Sequence, residues 1–460
     1  MASVFGKTWW GPFSLLCFLL AGVGILLRFD PIFRPQNELL LLLLPLAWGS
    51  VSGTIKCFRP DLTVITPKNF MLFVWFNKLV VIPLEILVVG NMIPVEYHLN
   101  QDISTEICIT LVSFGAFVVG WSCFSQKQIL RPVIVFSFLT TWASIYFLVA
   151  LISLSLFYGS LENYLSGAIF TYITREIVEQ NATSMGFLAN IGQRFWAFGV
   201  LLMWYKWKTK KGKVHWLRQL PWLLLCLAGT LSSNRSNILY PLLTLMSVIY
   251  AGWKTRHPFW WALLFSALLL LLLFFGYVRV QPSLDFEVLK ILFDEYLNRW
   301  EYIVQAHQLY VGSPYQITPL LSIQPSSFTL IASLLEPIPI VGKAFREQSG
   351  PYIYNLAYFQ SLVSQDKVIP VVGELYYNGG YLLVGLGSAV IAVVYKWLDA
   401  AFKRNVPVNP PLAAAFFYVM LLFSATLLLS LSVLMQFLVY NAAPALLVIA
   451  ANWSRIRKAS

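Results

Sequence analysis

No aspartate or glutamate occurs between Glu179 and Asp285, and only 11% of the 460 residues are charged. A water-soluble domain of this length carries about a quarter charged residues, so that class is excluded. Cysteine is scarce as well. The five residues make an odd number with no CxxC pair, which argues against a disulfide frame or a zinc site. A Walker loop, an HExxH pair and a glycine-rich dinucleotide turn are all missing, which argues against an ATP-driven pump or a soluble-type enzyme graft.

What the chain has instead is apolar mass. Hydrophobic residues make up 58% of it, and the mean hydropathy is +0.70. Apolar stretches of about 17–25 residues are the mark of membrane-crossing helices. About twelve are read, near 11–27, 38–55, 69–90, 104–123, 133–157, 186–205, 219–234, 236–253, 258–280, 371–397, 411–429 and 433–452. The expected fold is therefore an all-α polytopic membrane protein. The net charge of +12 follows the same plan. With both termini inside, the inner loops receive Lys56, Lys68, the run Lys206, Lys208, Lys210, Lys211 and Lys213, then Lys396, Lys403 and Arg404. They receive only two acids, Asp61 and Asp399. Lysine and arginine mark the cytoplasmic side, so the basic balance reflects topology and not nucleic-acid binding.

Five regions follow: scaffold helices over 1–157, an outer loop at 158–185, central helices over 186–280, a large outer loop at 281–370 and C-terminal helices over 371–460. The large loop opens with a stretch whose polar residues Glu287, Lys290, Asp294, Asn298, Glu301, Gln305 and Gln308 recur at helical spacing. Leu289, Phe293, Tyr296, Trp300 and Ile303 form the opposite stripe, so an amphipathic helix against the membrane part is expected. Pro314, Pro319, Pro325, Pro337, Pro339 and Pro351 then limit the chain to turns and brief helices, a lid over the membrane domain.

Arg235 stands out. It sits in LSSNRSN (231–237), a polar break between two apolar runs, in the middle of the carboxylate-free interval. A cation at a membrane edge costs roughly 2.5–3.5 kcal/mol on insertion scales, so it is paired or functional, and no local acid can pair it. Arg279, Arg299 and Arg346 also fall on the outer side. Guanidinium forks suit diphosphate oxygens, although Arg299 also has Glu295 one turn before it, Arg279 can snorkel and Arg346 adjoins Glu347. Glu374, in GELYYNGG (373–380), marks the point where the chain returns to the membrane. It is the first candidate for a proton acceptor or, equally, a neutraliser of an arginine, with Glu301 and His307 as further candidates. Tyr376, Tyr377 and Trp300 offer flat faces for sugar rings. Lys78 and Glu85, two turns apart on one helix, read as an intramembrane pair. No metal or cofactor is implied.

Four pieces in order, SNRSNILYPLL, GYVR before the large loop, NRWEY within it and IPVVGELYYNGG after it, resemble the bacterial oligosaccharide repeat-unit polymerases of the Wzy group, distant relatives of O-antigen ligases. The likeness spans roughly residues 190–400. It implies a GT-C-like glycosyltransferase of the bacterial inner membrane, with its active site facing the periplasm. The substrates would be polyprenyl-diphosphate-linked oligosaccharides, and a chain-length-regulating co-polymerase would be a partner. Arg235 and Arg299 match the family arginines thought to hold the diphosphate. Ligases of the wider group use a histidine late in the large loop, where this chain reads SGPYIYNLAY. At this point a ligase, a flippase of lipid-linked sugars and a single-sugar GT-C transferase using Asp30 stand as alternatives.

Overall fold

The computed structural model describes residues 37–58, 66–89, 103–123, 139–160, 162–164, 186–211, 216–230, 235–251, 327–338, 341–353, 370–424 and 429–459. Among these residues the structure is helical, with no strand. Helices are labelled α1 (Leu43–Thr54), α2 (Pro67–Phe76), α3 (Ile82–Val89), α4 (Ser104–Cys123), α5 (Leu139–Tyr158), α6 (Gly186–Lys211), α7 (Leu220–Thr230) and α8 (Arg235–Ala251). After them come α9 (Ser327–Leu335), α10 (Val371–Asn405), α11 (Pro410–Phe423), α12 (Leu431–Gln436) and α13 (Ala443–Ala459). The expected stretches 11–27 and 258–280 lie outside the described residues, as does the expected amphipathic helix over 283–310.

Three helices, Ser104–Cys123, Thr141–Tyr158 and Val371–Asn405, are long and apolar enough to cross a membrane. A fourth span results if Leu431–Asn441 and Ala443–Asn452, bent by 65°, form one broken crossing. This is a helical protein built for a bilayer.

Local chemistry explains where several helices begin. The Thr66 hydroxyl accepts the Asn69 amide at 3.2 Å, and Pro67, which has no amide to satisfy, takes the first turn of α2. Asn409 caps α11 in the same way, ahead of Pro410 and Pro411. Ser430 Oγ accepts the Val433 amide at 3.2 Å and starts α12.

The helices are less regular than apolar periodicity suggests. A π-helical turn, Asn77–Val81, joins α2 to α3, and another, Phe437–Asn441, follows α12. α10 is broken at Gly379 and Gly380, where Gly380 takes φ 58° and ψ −153°. Only glycine adopts that conformation without strain. The short arm 371–378 folds back, so that Leu375 packs on Gly387.

An aromatic core fills the first half of the bundle. Trp48, Trp75, Phe114, Phe117 and Phe58 are fully buried, and Trp75 lies 5.0 Å from the Phe114 ring and 5.3 Å from that of Phe117. α4 and α10 run parallel in close contact: Ser113 Oγ meets Ser388 Oγ at 2.8 Å, and Lys396 Nζ donates to the Trp121 carbonyl at 2.5 Å. Gly120 sits against the Ala389 backbone, where a Cβ would stand 2.6 Å from the Ala389 oxygen. Small residues at such a contact let two backbones approach, as helices in lipid require. At the same end Asp399 accepts the Lys68 amide at 3.1 Å and pairs with Lys403 at 2.5 Å, fastening the start of α2 to the end of α10.

Candidate functional site

Two places collect chemistry, and sequence analysis pointed to Glu374, Tyr376 and Tyr377 in the first and to Arg235 in the second. The first is the mouth where α10 begins. Glu374, in the first turn of α10, is 1% exposed. Its Oε2 accepts the Leu431 amide at 2.6 Å, the first amide of α12. Its Oε1 faces Gly350 and Ser333: a Cβ on Gly350 would stand 2.8 Å from that oxygen and 3.1 Å from Ser333 Oγ. The Gly350 amide in turn donates to Ser333 Oγ at 2.8 Å. Close by, Val371 donates to the Leu429 carbonyl at 2.8 Å, so α10 and α12 start side by side. The segment 327–353 is tied to the same place. Ser432 Oγ bonds Glu336 Oε2 at 2.8 Å, and the Tyr440 hydroxyl donates to the Pro337 carbonyl at 3.0 Å.

Tyr376 and Tyr377 are also buried at this mouth, with the Tyr376 ring edge-on to Tyr381 at 5.2 Å. Their faces are packed against protein in this arrangement. Arg346 stands on the outer side of the segment, exposed, in a short 3₁₀ turn, and is not brought to Glu374.

The second place is where α6, α7, α8 and α11 meet. Arg235 is the first residue of α8, where amide groups of the first turn point out of the helix. Its side chain lies outside what is described. Where these helices meet, Arg194 of α6 is completely buried. Its guanidinium carbon lies 5.8 Å from the Tyr418 ring centroid, a cation–π contact, with Tyr240 of α8 and Cys226 of α7 near it. Tyr418 is braced edge-on by Phe198 at 5.3 Å. Sequence analysis missed Arg194. The available signal was an arginine eight residues inside an apolar helix, in the same carboxylate-free interval as Arg235.

Glu301, His307, Arg279, Arg299 and Trp300 lie outside the described residues. Lys78 is buried in the π-helical turn, its ammonium 5.6 Å from the Trp75 ring centroid, while the Glu85 side chain is outside the description. No group of three or more metal-ligating side chains occurs among the described residues.

The chain matches no protein-family model, no curated protein and no solved structure. The functional reading therefore rests on the residues themselves. Arg235 at the first turn of α8, in a carboxylate-free part of the chain, suits an anion. The segment 327–353 is held against the starts of α10 and α12 by side-chain hydrogen bonds.

Proposed function

We propose that this protein is a polysaccharide polymerase of the bacterial inner membrane, a metal-independent glycosyltransferase. It moves a growing glycan from polyprenyl diphosphate onto the next lipid-linked repeat unit at the periplasmic face. The observation that carries this reading is Arg235, the first residue of α8, in a stretch with no acid from Glu179 to Asp285. Membrane-crossing helices supply the solvent for two lipid tails, and the motif order around the large outer loop supplies the resemblance.

The chemistry asks for charge and placement. Diphosphate leaves readily once its developing charge is held, and preorganised arginines do this without a metal. A base takes the acceptor hydroxyl's proton as that oxygen attacks the anomeric carbon. Oε2 of Glu374 is taken by the Leu431 amide and its unbonded Oε1 is enclosed beside Gly350 and Ser333, so of the three candidates we assign the base to Glu301 or His307 in the large loop. Lipid tails lying between helices bring both head groups under one lid, which replaces a bimolecular encounter by proximity. Twelve crossings, both termini in the cytoplasm and a chain-length-regulating partner complete the reading.

The test is Arg235→Ala in the living cell. Long-chain glycan should disappear while single repeat units accumulate. Unchanged chain length removes the polymerase reading, and loss of transfer of finished glycan to a separate acceptor would favour a ligase.

A further inference from the structure

Three segments far apart in the chain converge on one carboxylate. Glu374 comes from α10, Ser333 and Gly350 from the outer segment 327–353, and the Leu431 amide from α12. Glu374 is 1% exposed, so neither oxygen has a face open to an acceptor hydroxyl. Beside it, Glu336 to Ser432 and Tyr440 to Pro337 repeat the pattern, each joining the outer segment to α12 or the π-helical turn that follows it. The Glu374–Leu431 and Glu336–Ser432 contacts both end at the start of α12.

We propose that Glu374, Ser333 and Gly350 form a latch that fastens the segment 327–353 over the mouth between α10 and α12, with Glu374 a positioning residue. The carboxylate acts as an acceptor wedge. Its Oε2 accepts the first amide of α12, while Oε1, which accepts no hydrogen bond, packs against the Ser333–Gly350 turn, fixing the cover's height above the membrane part. Basicity is not required, because an uncharged side-chain carbonyl at the same place accepts the Leu431 amide equally well in geometry. Fit is required. Glycine at 350 permits the close approach of Oε1, since a Cβ there would stand 2.8 Å from it and displace the carboxylate from its present place. The role in glycan synthesis rests on the polymerase reading above; the latch as a physical contact does not.

The experiment separates the two. In full-length protein in membranes, Ala332→Cys places a thiol on the buried side of α9, where Ala332 has no exposure. Its labelling by a membrane-impermeant maleimide is followed by mass spectrometry of the peptide that carries it. Combined with Glu374→Ala or Gly350→Ala, labelling should accelerate about tenfold or more, equivalent to about 1.4 kcal/mol of opening. Glu374→Gln should stay within about threefold of the parent rate, since it loses less than that amount. Glycan length, measured on the same strains, should fall with Glu374→Ala and Gly350→Ala and persist with Glu374→Gln. Should Gly350→Ala fail to accumulate, Ser333→Ala replaces it with the same expectation.

Labelling unchanged by Glu374→Ala overturns the latch. A Glu374→Gln protein that stays protected yet makes no polymer overturns the assignment of Glu374 as a positioning residue, because basicity would then be what matters. If Arg235→Ala leaves glycan length intact, the polymerase reading fails, while the labelling rates still decide the latch.

Discussion

Arg194→Met separates what a buried cation does for folding from what it does for chemistry. Methionine fills a similar volume with flexible apolar atoms. The substitution removes a desolvated cation–π contact of about 2 kcal/mol. It also relieves the burial of a full charge, an effective penalty of several kcal/mol, and such replacements are neutral or stabilising in other proteins. The melting temperature in detergent should therefore hold or rise slightly. Function should not hold. Tyr240, which approaches Arg194, is five residues past Arg235, or about 7.5 Å along a helix, which sets a diphosphate at Arg235 on the order of 10 Å from Arg194. At an effective dielectric of about 20, one positive charge at that distance is worth about 1.7 kcal/mol for each phosphate charge. Losing it should weaken the substrate's hold by about tenfold to a few hundredfold. Arg194→Lys keeps the charge and should retain most activity. The measurements are a thermal melt and the glycan length ladder on a gel. An Arg194→Met protein that makes glycan of parental length, or one that fails to fold while Arg194→Lys folds, would refute the electrostatic argument.

Two further outcomes are expected. Gly120→Val should lower the melting temperature by the equivalent of about 1–3 kcal/mol, because its Cβ meets the Ala389 oxygen at 2.6 Å. Gly115→Val on the same helix, with nothing within 4 Å, should be mild, and equal losses would show that the α4–α10 contact does not govern stability. Arg346→Cys should react with an impermeant maleimide in intact cells and Lys210→Cys only after permeabilisation. The reverse pattern would invert the proposed orientation.

Much of the scaffold could be read from apolar run length, and much of its detail could not. The stretches near 104–123 and 186–205 fall on α4 and α6, although α6 runs on to Lys211 because lysine stems continue a helix as well as leucine does. The stretch at 38–55 contains Pro45, Gly49 and Gly53, yet it forms a 3₁₀ turn followed by α1; packing of Trp48 against Phe76 and Phe114 outweighs propensity there. The stretch 371–397 was expected as one helix; the break at Gly379–Gly380 and the folding back of the short arm depend on Leu375 finding Gly387. Glu374 was visible as a lone acid at a membrane mouth. Its partners were not: Leu431 lies 57 residues away, and Ser333 reaches it only through tertiary packing. Arg194 was hidden because it makes no polar break in its apolar run.

The parallel contact of α4 with α10 also constrains the path of everything between them. Both helices finish at the Asp399 end, since Trp121 and Lys396 meet there, so the chain departs α4 at one pole of the bundle and returns to α10 at the other. Parity then demands an odd number of traverses in the interval. The apolar runs there are those at 133–157, 186–205, 219–234, 236–253 and 258–280, and any topology map with an even tally would be incompatible with the serine–serine bond between Ser113 and Ser388.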